Sequence, residues 1–185
     1  NEVVLRTQAQ AIYDPQNIGH FGLNLLKYAH FTSPIRRYAD LIVHRALIKA
    51  LKLGEDGLSE TEAQRLPQIA ETISAAERRA MAAERDATDR YVAAFLADRI
   101  GAEFEGRITS VTRFGLFVRL KETGADGIVP VARLGREYWI HDETAHALVG
   151  AETGGRYMLG QTVDVRLADA APVTGGLVLD MLTKP

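Results

Sequence analysis

Cysteine is absent from this 185-residue sequence. That excludes disulfide staples and thiolate metal sites and fits a reducing compartment, so a cytoplasmic location is expected. No apolar run approaches the roughly 18–20 residues that cross a bilayer as a helix, so no membrane is expected among its partners. Strong charge of either sign is missing too: 22 Lys and Arg stand against 24 Asp and Glu, a net charge of −2. A global basic field is thereby excluded, and any nucleic-acid surface must be a local patch. What the sequence does have is apolar content, 46% of residues, enough for one or two globular domains. It opens at Asn1 on structured-looking sequence and is expected to be a piece of a longer polypeptide.

Three zones follow one another. Residues 1–31 alternate short apolar runs with turn chemistry such as Asp14-Pro15-Gln16-Asn17, which predicts short strands or extended segments around a small core. Residues 33–101 are helical in pattern. A first helix surrounded by apolar residues from Ile35 to Leu51 should be buried, with Arg37, Asp40 and His44 as polar exceptions spaced for one face. After the break at Gly54-Glu55-Asp56-Gly57, a second helix is predicted from Ser59 or Glu60 to Ile100, with Pro67 kinking or restarting it and Gly101 ending it. Ile69, Ile73, Ala76, Ala80, Ala83, Ala87, Tyr91 and Ala94 recur at steps of three and four, a small-residue stripe suited to close packing. Residues 102–182 switch to valines and isoleucines alternating with polar residues between glycine turns, which suggests a small sandwich or barrel. The expected fold is therefore α+β: a helical portion, residues 1–101, then a five-stranded OB-fold β-barrel, residues 102–185.

Thr32-Ser33-Pro34-Ile35-Arg36-Arg37-Tyr38 reads as a helix start, with Ser33 as N-cap and Pro34 at the first helical position. Two arginines oppose the positive end of the helix dipole, at a cost of roughly 0.3–1 kcal/mol each. A phosphate would relieve it, because exposed N–H groups and guanidinium forks together bind anions. The plain alternative is a solvated helix start in which Arg36 or Arg37 pairs with Asp40.

The β zone carries a second signal. Phe114 and Phe117 flank Gly115, with Arg107, Arg113 and Arg119 nearby. Exposed on a barrel, such aromatics stack bases and the arginines track phosphates; in a plain hairpin both would be core. Gly106-Arg107-Ile108, Phe114-Gly115-Leu116-Phe117-Val118, Gly127-Ile128-Val129-Pro130 and Leu159-Gly160-Gln161-Thr162-Val163-Asp164-Val165 resemble the S-one type of RNA-binding OB-fold over essentially all of 102–182. The resemblance implies that Phe114 and Phe117 face RNA. Pro130 replaces the histidine frequent in that family. With 9 Lys and Arg against 11 Asp and Glu in 102–185, weak, accessory binding is expected. Tyr138 to Tyr157 looks like an inserted hairpin, in which Trp139 is read as packing rather than stacking.

Asn17-Ile18-Gly19-His20-Phe21-Gly22-Leu23 followed by Tyr28-Ala29-His30-Phe31-Thr32-Ser33-Pro34-Ile35-Arg36-Arg37-Tyr38-Ala39-Asp40-Leu41 and His44-Arg45 resembles the C-terminal part of the RNB catalytic domain. That domain defines the ribonuclease II and R family of processive 3′→5′ exoribonucleases, and the wording here is nearer the ribonuclease R branch. Ala39 departs from the family's frequent proline. The resemblance implies single-stranded RNA as partner and substrate. It makes Arg36 the active-site arginine on the scissile phosphate and Arg37 and Tyr38 its supports. It makes Glu84 a carboxylate near the 3′-terminal ribose; the plain reading of Glu84 is a surface residue paired with Arg85 or Thr88. His20 and His30 are read as structural. Magnesium is implied for the full-length enzyme, held by an aspartate-rich run. The adjacent acidic pairs here, Glu55-Asp56 and Asp142-Glu143, do not resemble that run, so no metal site is expected in this chain and the chain alone is expected to be inactive.

Overall fold

The structure, a computed structural model, describes residues 9–185. These fall into two compact units that divide between Ala82 and Ala83; part of the 1–31 expectation thus lies outside the described residues.

In the first unit the described part of 1–31 is irregular chain. A 3₁₀ turn spans Phe21–Leu23, and His20 forms an isolated bridge with Leu25. The described residues of this segment form no small core: Ile18, Phe21 and Leu26 are 84–93% exposed. The chain doubles back between His20 and Leu25, through Asn24 in the left-handed region, and leaves too few residues to build paired strands.

Helix α1 runs Tyr38–Leu51, not from Pro34. Arg37 occupies the N-cap position in extended conformation, and residues 34–36 form a separate turn closed by the N–H groups of Arg36 and Arg37 on the carbonyl of Ser33. Nor is α1 buried as its apolar surround predicted. Asp40 is its sole buried residue, while Leu41, Leu47 and Leu51 are exposed; the loops packed on it cover too little of its circumference. Arg45 buckles the following loop. Its guanidinium donates to the Glu62 carboxylate and to the carbonyls of Asp56 and Gly57. Glu62 also completes a capping box with Ser59 at the start of α2, Glu60–Gln64.

The chain restarts at Leu66-Pro67 into α3, Leu66–Ala97. The predicted small-residue stripe is not a packed seam. Ile69, Ile73 and Ala76 are half-buried, but Ala80, Ala83, Ala87, Tyr91 and Ala94 are exposed. Burial is confined to the helix ends, to Ala70 and Ser74 in the first unit and Ala93 and Leu96 in the second. Every residue from Glu77 to Tyr91 is exposed.

In the second unit β1 (Glu103–Thr112), β2 (Gly115–Leu120), β3 (Asp126–Pro130), β7 (Thr162–Ala171) and β8 (Gly176–Met181) close a barrel in the order β1-β2-β3-β8-β7. All pairs are antiparallel except β3 with β8. Alternating apolar residues face inward: Phe104 and Ile108, Leu116 and Val118, Val163, Val165 and Leu167, and Leu177 and Leu179. Ala93 and Leu96 of α3 join this core. The insertion is a three-stranded sheet of β4 (Trp139–Asp142), β5 (Ala147–Gly150) and β6 (Arg156–Met158), one strand more than the predicted hairpin. Trp139 is buried beside Tyr157, their ring centroids 5.3 Å apart.

Candidate functional site

The Ser33–Arg37 turn is fastened from beneath. The buried carboxylate of Asp40 accepts the Ser33 N–H at 2.8 Å and a two-point fork from Arg37, at 2.9 and 3.0 Å. One helical turn on, His44 stacks on Phe31 at 4.3 Å, and its Nε2 lies 2.7 Å from the Phe31 carbonyl. The three polar exceptions of the helix thus do share a task. Burial pushes the Asp40 carboxyl up, but the hydrogen bonds from Arg37 and Ser33 outweigh it and hold the group below its ordinary range. The same bond raises Arg37 further.

Arg36 is the exposed last residue of the 34–36 turn, and its guanidinium makes no hydrogen bond or ion pair among the described residues. Tyr38 is half-exposed at the first position of α1. A planar cation held on an ordered turn can receive a phosphate oxygen pair without first breaking a protein bond. The same unit holds a ladder of edge-on rings, Tyr13–His30–Tyr28–His20, with centroids 5.1–5.6 Å apart. The Tyr13 hydroxyl lies 2.9 Å from His30 Nδ1, and His20 Nδ1 accepts the Leu23 N–H. Both histidines are therefore hydrogen-bonded within the scaffold.

Glu84 lies on α3 in the other unit, exposed. Thr88 donates to its backbone carbonyl, not to its carboxylate, which has no partner among the described residues. The pairing with Arg85 or Thr88 that a plain surface role predicts is not formed.

On the barrel, Phe114 is 63% and Phe117 38% exposed. The hairpin-core reading fails for both, because the inward positions belong to Ile108, Leu116 and Val118. Phe117 faces outward on β2 between Ser110 and Ile128 of the flanking strands, and Arg113 sits 4.6 Å over the Phe114 ring. Gly115 between them has φ +152°, and a Cβ there would lie 2.2 Å from the Val129 carbonyl, so only glycine lets β2 approach β3. Two of the predicted phosphate-tracking arginines are engaged elsewhere. Arg107 donates to the Gly160 carbonyl, and Arg119 forks onto Asp126. Asp40 and His44 are the residues whose importance sequence reasoning understated; their four-residue spacing was the available signal.

Residues 1–53 match the RNB domain and residues 97–181 the S1 RNA binding domain. The chain is 45% identical over 173 residues to ribonuclease R of Escherichia coli K12, covering 89% of this chain and 21% of that protein. It is 48% identical over 164 residues to ribonuclease R of Aquifex aeolicus, covering 89% and 23%. It thus spans under a quarter of the length of these relatives. Two solved structures of Mycoplasma genitalium RNase R, the apo form and a complex with ribose methylated single-stranded RNA, superpose with a TM-score of 0.90 at 31% and 30% identity. Each covers 97% of this chain and 28% of the solved chain.

Proposed function

The chain belongs to the ribonuclease R family, and from that premise we propose that it supplies one side of the active site and the RNA-feeding barrel of a magnesium-dependent, processive 3′→5′ exoribonuclease of the cytoplasm. The observation that carries this reading is the exposed guanidinium of Arg36, without a partner among the described residues, on a turn held by a buried carboxylate. Arg36 grips the scissile phosphate and stabilises charge building on its oxygens as water attacks in line, releasing nucleoside 5′-monophosphates. Glu84 accepts hydroxyls of the 3′-terminal ribose. Arg37 and Tyr38 support the turn, while Phe114 and Phe117 present the barrel face to single-stranded RNA, joined by Arg107 and Arg119 once RNA phosphates replace their contacts with Gly160 and Asp126. The solved complex of the M. genitalium relative with single-stranded RNA supports the choice of ligand.

The described residues do not fit a magnesium site: they hold no group of three His, Asp or Glu that could bind a metal ion. The magnesium ligands are assigned to the remainder of the family's length, and the 185-residue chain by itself is proposed to be inactive. The outward aromatics favour a second reading for that isolated chain, a non-catalytic RNA-binding module.

The test pairs the isolated chain with a full-length polypeptide carrying it, on labelled single-stranded RNA with magnesium. The longer protein should degrade RNA and the isolated chain should only bind it. Arg36→Ala should lower turnover by about 10²–10³-fold, the scale of losing one transition-state donor, with a far smaller change in affinity. Nuclease activity in the isolated chain overturns the division of the site, and an affinity-only loss reduces Arg36 to a phosphate anchor.

A further inference from the structure

We infer that Asp40 is a positioning residue for Arg36. The inference rests on the reading of Arg36 as the phosphate-contacting arginine and deepens it. A fully buried carboxylate demands compensation, and Asp40, with no exposed surface, finds it among the described residues at two places. Its Oδ2 accepts the Ser33 N–H and Arg37 Nη2, and its Oδ1 accepts Arg37 Nε. Ser33 and Arg37 are the two ends of the turn that carries Arg36. One carboxylate therefore ties both ends of that turn to the first turn of α1. The Ser33 carbonyl closes it by accepting the N–H groups of Arg36 and Arg37 at 3.2 and 3.0 Å. His44 fixes Phe31 upstream, so the segment entering the turn is held to the same helix.

An exposed ion pair at this spacing would contribute little. This one differs because its carboxylate is buried and also accepts a backbone N–H, which fixes main chain and not just two side chains. The arrangement also divides adjacent arginines of identical chemistry. Arg37 spends its fork inward on Asp40 and leaves Arg36 to point out alone. Preorganisation of this kind acts on the reaction because a displacement of about 1 Å at a reacting group can cost on the order of 10²-fold in rate.

The test is a double-mutant cycle in a full-length polypeptide carrying the chain, with turnover, RNA affinity in the absence of turnover, and melting temperature measured for each variant. Asp40→Asn should lower kcat by about 10–100-fold and leave RNA affinity within about threefold. In an Arg36→Ala background the same substitution should produce no further loss of kcat, because the group it positions is gone. A general folding defect would lower activity equally in both backgrounds. Should Asp40→Asn fail to fold, Arg37→Lys, which removes the two-point fork but keeps the carboxylate on Ser33, should give the same coupling at smaller size. Full, multiplicative losses in both backgrounds overturn the positioning role and leave the Arg36 assignment standing. Unchanged turnover in Arg36→Ala overturns that assignment, and the positioning role with it.

Discussion

Arg37 closes a two-point fork on the buried carboxylate of Asp40 at 2.9 and 3.0 Å, and that fork separates its fate from that of Arg36 beside it. A guanidinium already committed to an internal carboxylate releases few counterions when RNA arrives. Arg36→Ala should therefore lower the slope of log affinity against log salt by about one, whereas Arg37→Ala should leave the slope nearly unchanged and lower the melting temperature instead. Titrations of single-stranded RNA at several salt concentrations check both. Equal slope changes at the two positions would mean that the Arg37 fork opens on binding.

The loop buckle between α1 and α2 should show itself in acid. Hydrogen bonds from Arg45, and then from the Ser59 side chain and N–H, hold the Glu62 carboxyl at about 2 against an ordinary 4.5. The folded state thus binds this proton less readily than the unfolded chain. Its stabilising contribution is whole above pH 4.5 and is lost as pH falls towards about 2. Melting curves of the native chain and Glu62→Gln should be separated at pH 6 and converge as pH falls through that window. A constant separation down to pH 2 would place the carboxylate outside the linkage.

The outward aromatics of the barrel predict a clean split between binding and stability. Phe117→Ala removes a half-exposed ring and should cost about 1–3 kcal/mol of RNA affinity, the contribution of one stacked base, with little change in melting temperature. Leu116→Ala, one residue away but fully buried, should do the reverse, costing about 2–5 kcal/mol of stability. Fluorescence titration with single-stranded RNA and denaturant unfolding of the same proteins separate the two effects. Unchanged RNA affinity in Phe117→Ala would move the binding face elsewhere on the barrel.

The barrel was legible because strand alternation is a local pattern that burial then obeys: Ile108, Leu116, Val118 and Val165 all point where period two sends them. The third strand of the insertion was not, because Arg156–Met158 is too short to carry a pattern. The helix start at Tyr38 was hidden for a different reason. Ser33-Pro34 satisfies local rules for an N-terminus, and a buried carboxylate seven residues on overrides them by capturing the Ser33 N–H. Arg36 and Glu84 were singled out by motif resemblance, since neither composition nor periodicity separates them from Arg37 and Arg85. What the sequence did show is that Arg37, Asp40 and His44 share a face; what it concealed is that this face fastens a turn.

Helix α3 gives the sharpest contrast between a periodic pattern and what covers it. The stripe from Ala80 to Ala94 has helical spacing, yet those alanines are exposed, and burial in the second unit falls on Ala93 and Leu96. Periodicity reports that a segment is helical, while contact with a core decides which residues matter. Ala87→Gln should therefore change stability by less than about 0.5 kcal/mol, as an exposed site with a good helix former in place of another. Leu96→Ala should cost about 2–5 kcal/mol, because Leu96 is fully buried in the barrel core and its removal opens a cavity there. Urea unfolding followed by circular dichroism measures both. A large loss in Ala87→Gln would show that this stretch of the helix is packed in solution, and would restore the stripe as a seam.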